Sequence, residues 1–142
     1  MHNGNVRAAR DVAQLVAERG ELHRLLVGTD SPAGTGVVPL GMLRTVAWLS
    51  AFGGIPAPQA VAAASGNTAR ARRIEGGIVE VGAIADLVVV DAPDGSQASD
   101  LCAALEAGDT PAVSAVVVDG QIAVRKSRNT PPPRRVPIFP AA

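Results

Sequence analysis

Leu25-Leu26-Val27-Gly28-Thr29-Asp30-Ser31-Pro32 is the stretch on which the fold class turns. An apolar run ends in an aspartate, and the chain then bends at a proline. Buried parallel strands read as continuous Val/Ile/Leu runs. Such strands carry their working side chains at the C-terminal lip. The spacing therefore predicts a short buried strand from Arg24 to Gly28, an exposed carboxylate at Asp30, and a loop over 29–38, where Pro32, Gly34 and Gly36 forbid regular structure.

A carboxylate so placed can take a proton from an attacking water and hand it to a leaving group. On spacing alone it serves equally well as an Asx-turn before Ser31-Pro32. Ser31, Gly34, Thr35 and Gly36 could shape a substrate loop beside Asp30, because glycine lets backbone N–H groups approach a ligand. A plain connection explains them as well. Gly34-Thr35-Gly36 is not a dinucleotide fingerprint: the third glycine is misplaced and no βαβ unit follows.

Working outward, Asn5 can cap a helix to about Arg19, with Val6, Ala9, Val12, Ala13 and Val16 at helical spacing. Pro39 opens a second helix that Gly53-Gly54 stops. Ala57–Ala64 is a third helix, with Pro58 in its first turn. Asn67 or Thr68 caps a fourth through Arg73. After Gly76-Gly77 the character changes. Ile78, Val79 and Val81 read as strand, Gly82 as turn, and Leu87-Val88-Val89-Val90 as a second strand. Ser99–Ala107 is helical. Val113–Val118 and Ile122–Val124 form a hairpin, because Asp119-Gly120 supplies the positive φ of a type I′ turn. Pro131-Pro132-Pro133 opens an extended tail without sheet or helix hydrogen bonding. The domain reading is 1–75, 76–130 and a tail over 131–142.

Composition narrows the function. The 142 residues are 47% apolar, which excludes a disordered chain. Trp48, Phe52 and Phe139 are the only aromatics, so the core is aliphatic. Thirteen basic and thirteen acidic residues cancel, leaving no overall basic field for nucleic acid or anionic lipid. A single cysteine, Cys102, makes no internal disulfide and suits a reducing cytoplasm. No apolar stretch approaches the ~20 residues that cross a bilayer, and Met1–Asn5 lacks the apolar region of a signal peptide. The expectation is a cytoplasmic chain with no nucleic-acid or membrane partner.

Three groups of residues together point to a family. They are the strand ending at Gly28-Thr29-Asp30, then Gly76-Gly77-Ile78-Val79-Glu80-Val81-Gly82-Ala83-Ile84-Ala85-Asp86-Leu87-Val88-Val89-Val90-Asp91, then Val116-Val117-Val118-Asp119-Gly120. This order resembles the end of an amidohydrolase-superfamily enzyme. Asp30–Gly41, Ala107–Pro111 and Lys126–Pro132 extend the resemblance to hydrolases of cyclic amides within that superfamily. The resemblance implies an α/β fold: the C-terminal units of a (β/α)8 barrel followed by part of a small β-sandwich. It implies hydrolysis of a non-peptide C–N bond in a small cyclic amide by an intact homo-oligomeric enzyme with a divalent metal, zinc or iron. In that comparison Asp30 is both metal ligand and proton shuttle.

The family's His-x-His pair, its bridging lysine and its two later histidines have no counterparts here. A zinc site takes three or four protein ligands. His2 lies at the terminus, and His23 at the N-terminal end of the predicted strand, the wrong end for a barrel site. Neither is counted as a ligand. The chain by itself is therefore expected to hold no metal and to be inactive. The competing reading is a non-catalytic truncated chain that acts only by packing with a partner subunit. Cys102 is expected in the core, and Arg70, Arg72 and Arg73 at a solvated helix end.

Overall fold

A computed structural model describes residues 5–32 and 36–139. Helices come first and a small sheet follows. The helices are α1 (Val6–Glu18), α2 (Gly41–Ala51), α3 (Ala57–Ala64), α4 (Gly66–Arg72) and α5 (Leu101–Glu106); the strands are β1 (Leu87–Asp91), β2 (Ala112–Val118) and β3 (Gln121–Val124). A single 3-10 turn, Leu22–Arg24, separates α1 from the Asp30 segment.

Local chemistry sets the boundaries. The Asn5 side chain accepts the Ala8 N–H at 3.0 Å and starts α1. Asp100 does the same for α5 through the Ala103 N–H. The Ala103 N–H and then the Ser99 hydroxyl hold the Asp100 carboxyl below its ordinary value. Glu106 Oε1 accepts the Ala57 N–H at 3.3 Å, so α5 helps to satisfy the first turn of α3.

α3 is the centre of the helical half. It packs against α2, α4, α5 and the 3-10 turn. Ala57, Ala60 and Ala63 are fully buried, and their small side chains let neighbouring backbone come close. Leu49, Ile55 and Leu105 fill the space around them, with Val46, Ala47, Leu25 and Val27 completing the cluster. The predicted apolar face of α1 is divided. Ala9 and Ala13 are buried, whereas Val6 and Val12 are about half exposed.

The sheet has the order β1-β2-β3 and is antiparallel throughout. Leu87 pairs with Val117 and Asp91 with Ala112, across an irregularity between Val89 and Val90. The predicted hairpin is present, with Val118 opposite Gln121 and positive φ at both Asp119 and Gly120.

Three expectations differ from what is found. Residues 24–28 are not a ladder strand: Leu22–Arg24 is a 3-10 turn, and the chain then runs on without strand assignment to Asp30. Strands exist by pairing with neighbours, and among the described residues β1, β2 and β3 pair only with one another. The same reason applies to Ile78, Val79 and Val81, which form no strand and are exposed. Cys102 is exposed rather than in the core. α5 buries Ala104 and Leu105, and Cys102 falls off that face.

The tail also departs from its expected form. It is extended but well bonded. Residues Thr130–Arg135 lie back over the end of β1 and the start of β2, with Pro133 buried and bridged to Pro93. Asp94 N–H donates to Pro132 O at 2.7 Å, and Arg134 N–H to Ala92 O at 3.2 Å.

Candidate functional site

The segment Leu25–Asp30 keeps the period-2 alternation of a strand without the ladder. Leu25 and Val27 are buried in the helical core, while Leu26 and Gly28 are half-buried. Val27 N–H donates to Ala63 O at 3.2 Å, which joins the segment to the C-terminal end of α3. At its N-terminal end, the buried Asn67 of α4 donates from Nδ2 to Leu22 O at 3.0 Å and Leu25 O at 3.1 Å. Arg70 in turn donates to Asn67 Oδ1. One side-chain amide thus satisfies the Leu25 carbonyl, which no sheet neighbour reaches, and adds a second donor to Leu22 O, which also accepts the Leu25 N–H.

Leu26, Gly28 and Asp30 line an open concavity of about 550 Å³, with Val27, Thr68, Arg72 and Ile74 as the other walls. Asp30 is exposed and sits at the C-terminal end of the segment with φ 55°. Aspartate tolerates this left-handed conformation better than most residues. Around it, Thr29 Oγ1 accepts the Ser31 N–H at 3.3 Å, and Gly41 packs so closely on Thr29 that an added Cβ would lie 3.0 Å from its methyl. The start of α2 therefore presses directly on the turn that carries Asp30.

The other site residues expected from the sequence are not gathered in this way. Ser31 and Gly36 are exposed and do not belong to the wall of the Asp30 concavity; Gly34 and Thr35 lie outside the described residues, as does His2. His23 is exposed on the 3-10 turn at the opposite end of the segment from Asp30. Among the described residues no three His, Cys, Asp or Glu side chains come together as a metal site. Asp30 alone is below the ligand number of zinc. The donors among the described residues do not fit a metal centre on their own.

Three residues of this region have tasks that the sequence does not show. Thr68 and Arg72 share the Asp30 concavity, although Arg72 reads as an ordinary solvated helix end. Asn67 reads as a cap but acts at long range. Its only sequence signal is an amide standing among alanines and arginines.

The arrangement of helices, a bounded carboxylate and a small antiparallel sheet agrees with comparison to known proteins. The model of the amidohydrolase family matches residues 5–123. The chain belongs to the amidohydrolase family. It is 42% identical over 132 residues to the enamidase of Eubacterium barkeri, a match that covers 93% of this chain and 34% of that protein. The crystal structure of an enamidase, described there as a new member of the amidohydrolase superfamily, superposes with a TM-score of 0.89 at 42% identity, again over 93% of this chain and 34% of the other. The chain thus spans about a third of the length of the relatives it matches. Among the described residues no helix is long and apolar enough to cross a membrane.

Proposed function

We propose that this chain supplies the C-terminal part of a metal-dependent hydrolase that opens a cyclic amide by cleaving its non-peptide C–N bond. The observation that carries the reading is Asp30, held at the end of an alternating segment and lining an open concavity. Its 42% identity to enamidase supports the substrate class. In this reading Leu25–Asp30 is the last strand of a (β/α)8 barrel, and β1–β3 are part of a small β-sandwich. Asp30 takes a proton as water adds to the amide carbonyl carbon, then gives it to the ring nitrogen as the C–N bond breaks. Ser31, Gly34, Thr35 and Gly36 form the loop over the substrate.

Superfamily enzymes are in general metal-dependent, and a zinc or iron ion would need its other ligands from elsewhere in the polypeptide. We place the protein in the cytoplasm as a homo-oligomer. A reduced pyridone carboxylate is the sharpest substrate candidate. The test is to express the full reading frame that contains this sequence and assay six-membered cyclic amides for ring opening by mass spectrometry. Turnover is expected. A folded, metal-loaded protein that opens none of them would overturn the proposal.

A further inference from the structure

Asp91, at the end of β1, pairs with Arg135 through a carboxylate that is only 6% exposed. It collects four donors. Ala92 N–H reaches Oδ1 at 2.8 Å, and three more come from Arg135: the backbone N–H at 2.8 Å, Nε at 3.0 Å and Nη2 at 2.6 Å. Arg135 itself is largely exposed. Its guanidinium forks over the carboxylate from outside, the strongest form of such a pair.

The neighbouring residues extend this contact into a strap. The Arg134 guanidinium donates to Ser96 O at 2.6 Å and Ala98 O at 2.7 Å, on the loop that leads to α5. The buried Ser114 donates its hydroxyl to Arg135 O at 2.9 Å. Thr130 Oγ1 accepts the Val113 N–H at 3.1 Å. Beyond the strap, Val136 and Ile138 are exposed. Thr130–Arg135 is thus held by polar contacts, of which the Arg135 group on Asp91 is the densest, with Pro133 its buried side chain, whereas β1, β2 and β3 hold one another through ladder pairing. Segments with few buried apolar contacts open locally at lower free energy than the core.

We propose that Thr130–Arg135 is a latch that opens and closes as its own unit, with Asp91 as the catch. Opening frees the 92–99 loop and uncovers the end of the sheet at Ala92 and Ser114, while the three-stranded ladder stays intact. This goes beyond the hydrolase reading and does not depend on it. The test is hydrogen exchange, read by peptide mass at neutral pH, on the full polypeptide that carries this sequence. In Asp91→Asn and in Arg135→Ala, the amides of Asp94, Arg134 and Arg135 are expected to exchange about tenfold faster or more, as befits loss of a charged hydrogen-bond network. Amides of β3, of α1–α4 and of β2 beyond Val113, whose own N–H is held by Thr130, should change less than about twofold, as expected for a separate unit. Equal acceleration of strap and ladder would overturn the proposal, because the strap would then belong to the sheet's cooperative unit. Unchanged strap exchange in both variants would also overturn it. Should Asp91→Asn not fold, Arg135→Lys decides: it keeps the charge and loses the fork, so the same local pattern is expected at smaller amplitude.

Discussion

Asp86 and Asp119, 33 residues apart in sequence, meet at the turn between β2 and β3: Asp86 Oδ1 accepts the Asp119 N–H at 2.8 Å. Ala85 O accepts the next amide, that of Gly120, at 3.1 Å. The residues that precede β1 therefore close over the far hairpin. This gives the Ala85-Asp86-Leu87 run a physical task. It supplies acceptors to two amides that turn away from the ladder because Asp119 and Gly120 both have positive φ.

Removing that acceptor has a modest cost, because the contact is exposed. Asp86→Ala is expected to lower stability by about 1 kcal/mol, the usual net worth of one hydrogen bond. Gly120→Ala should cost a similar amount, ~1 kcal/mol, since its φ is 73° and alanine resists the left-handed region. Urea denaturation of both variants checks the values. A change below a few tenths for Asp86→Ala would show that water replaces the carboxylate without loss.

Asn67→Ala is expected to be more severe. The amide is buried and donates to both Leu22 O and Leu25 O. Truncation strands the Leu25 carbonyl, since Leu22 O still accepts the Leu25 N–H, and leaves a small void, a loss of about 2 kcal/mol. Asn67→Asp should be at least as damaging, because a carboxylate would then face the same carbonyl oxygens. Denaturant unfolding measures the loss. Exchange at Val27, whose amide is held by Ala63 O, tests whether the Asp30 segment loosens with it.

These two sites also show what sequence could and could not reveal. The hairpin was legible because Asp119-Gly120 encodes its own turn, a property of two adjacent residues. The helices were legible through caps and 3.6-residue spacing, as Asn5 and the alanines of α3 illustrate. Leu25–Asp30 was half legible. Its alternation is real, but no ladder forms, since pairing depends on which other segments are alongside. Ile78–Val81 has the residues of a strand and forms none, for the same reason. Instead Gly77 tucks against α4, where an added Cβ would lie 2.8 Å from the Ala69 methyl. Asn67 and Arg72 were opaque because their task is set by contacts some forty residues away. Asp91 was equally opaque, since Arg135 lies 44 positions on.

Acid should weaken the strap only toward the bottom of the carboxylate range. Hydrogen bonding from Arg135 lowers the Asp91 carboxyl from 3.8 to about 2, against the opposing effect of burial. A carboxyl lowered on folding contributes stability that is complete above its unfolded value. That contribution declines as pH falls from 3.8 toward about 2 and is gone below it. Asp100 faces the same guanidinium at longer range and is itself lowered, so its protonation adds in the same direction. Stability measured from pH 5 down to 2 should therefore fall less steeply in Asp91→Asn than in the parent chain. Parallel curves would show that Asp91 contributes nothing to the acid limb.

Asp30→Asn is the variant that bears on catalysis. Size and shape barely change, and Asp30 is exposed, so the fold and the unfolding midpoint should be preserved. Turnover in the full polypeptide should nevertheless fall by about 10²-fold or more if Asp30 carries the proton. The pattern across parameters separates this role from substrate binding: loss confined to kcat marks proton transfer, and loss confined to KM marks binding. This chain expressed by itself should hold no stoichiometric metal and open no cyclic amide, because Asp30 alone falls short of a zinc site's ligand number. Co-expression with a segment that supplies the missing histidines and lysine should restore both. Stoichiometric metal together with turnover in this chain alone would overturn the assignment, with His2 the first ligand to test.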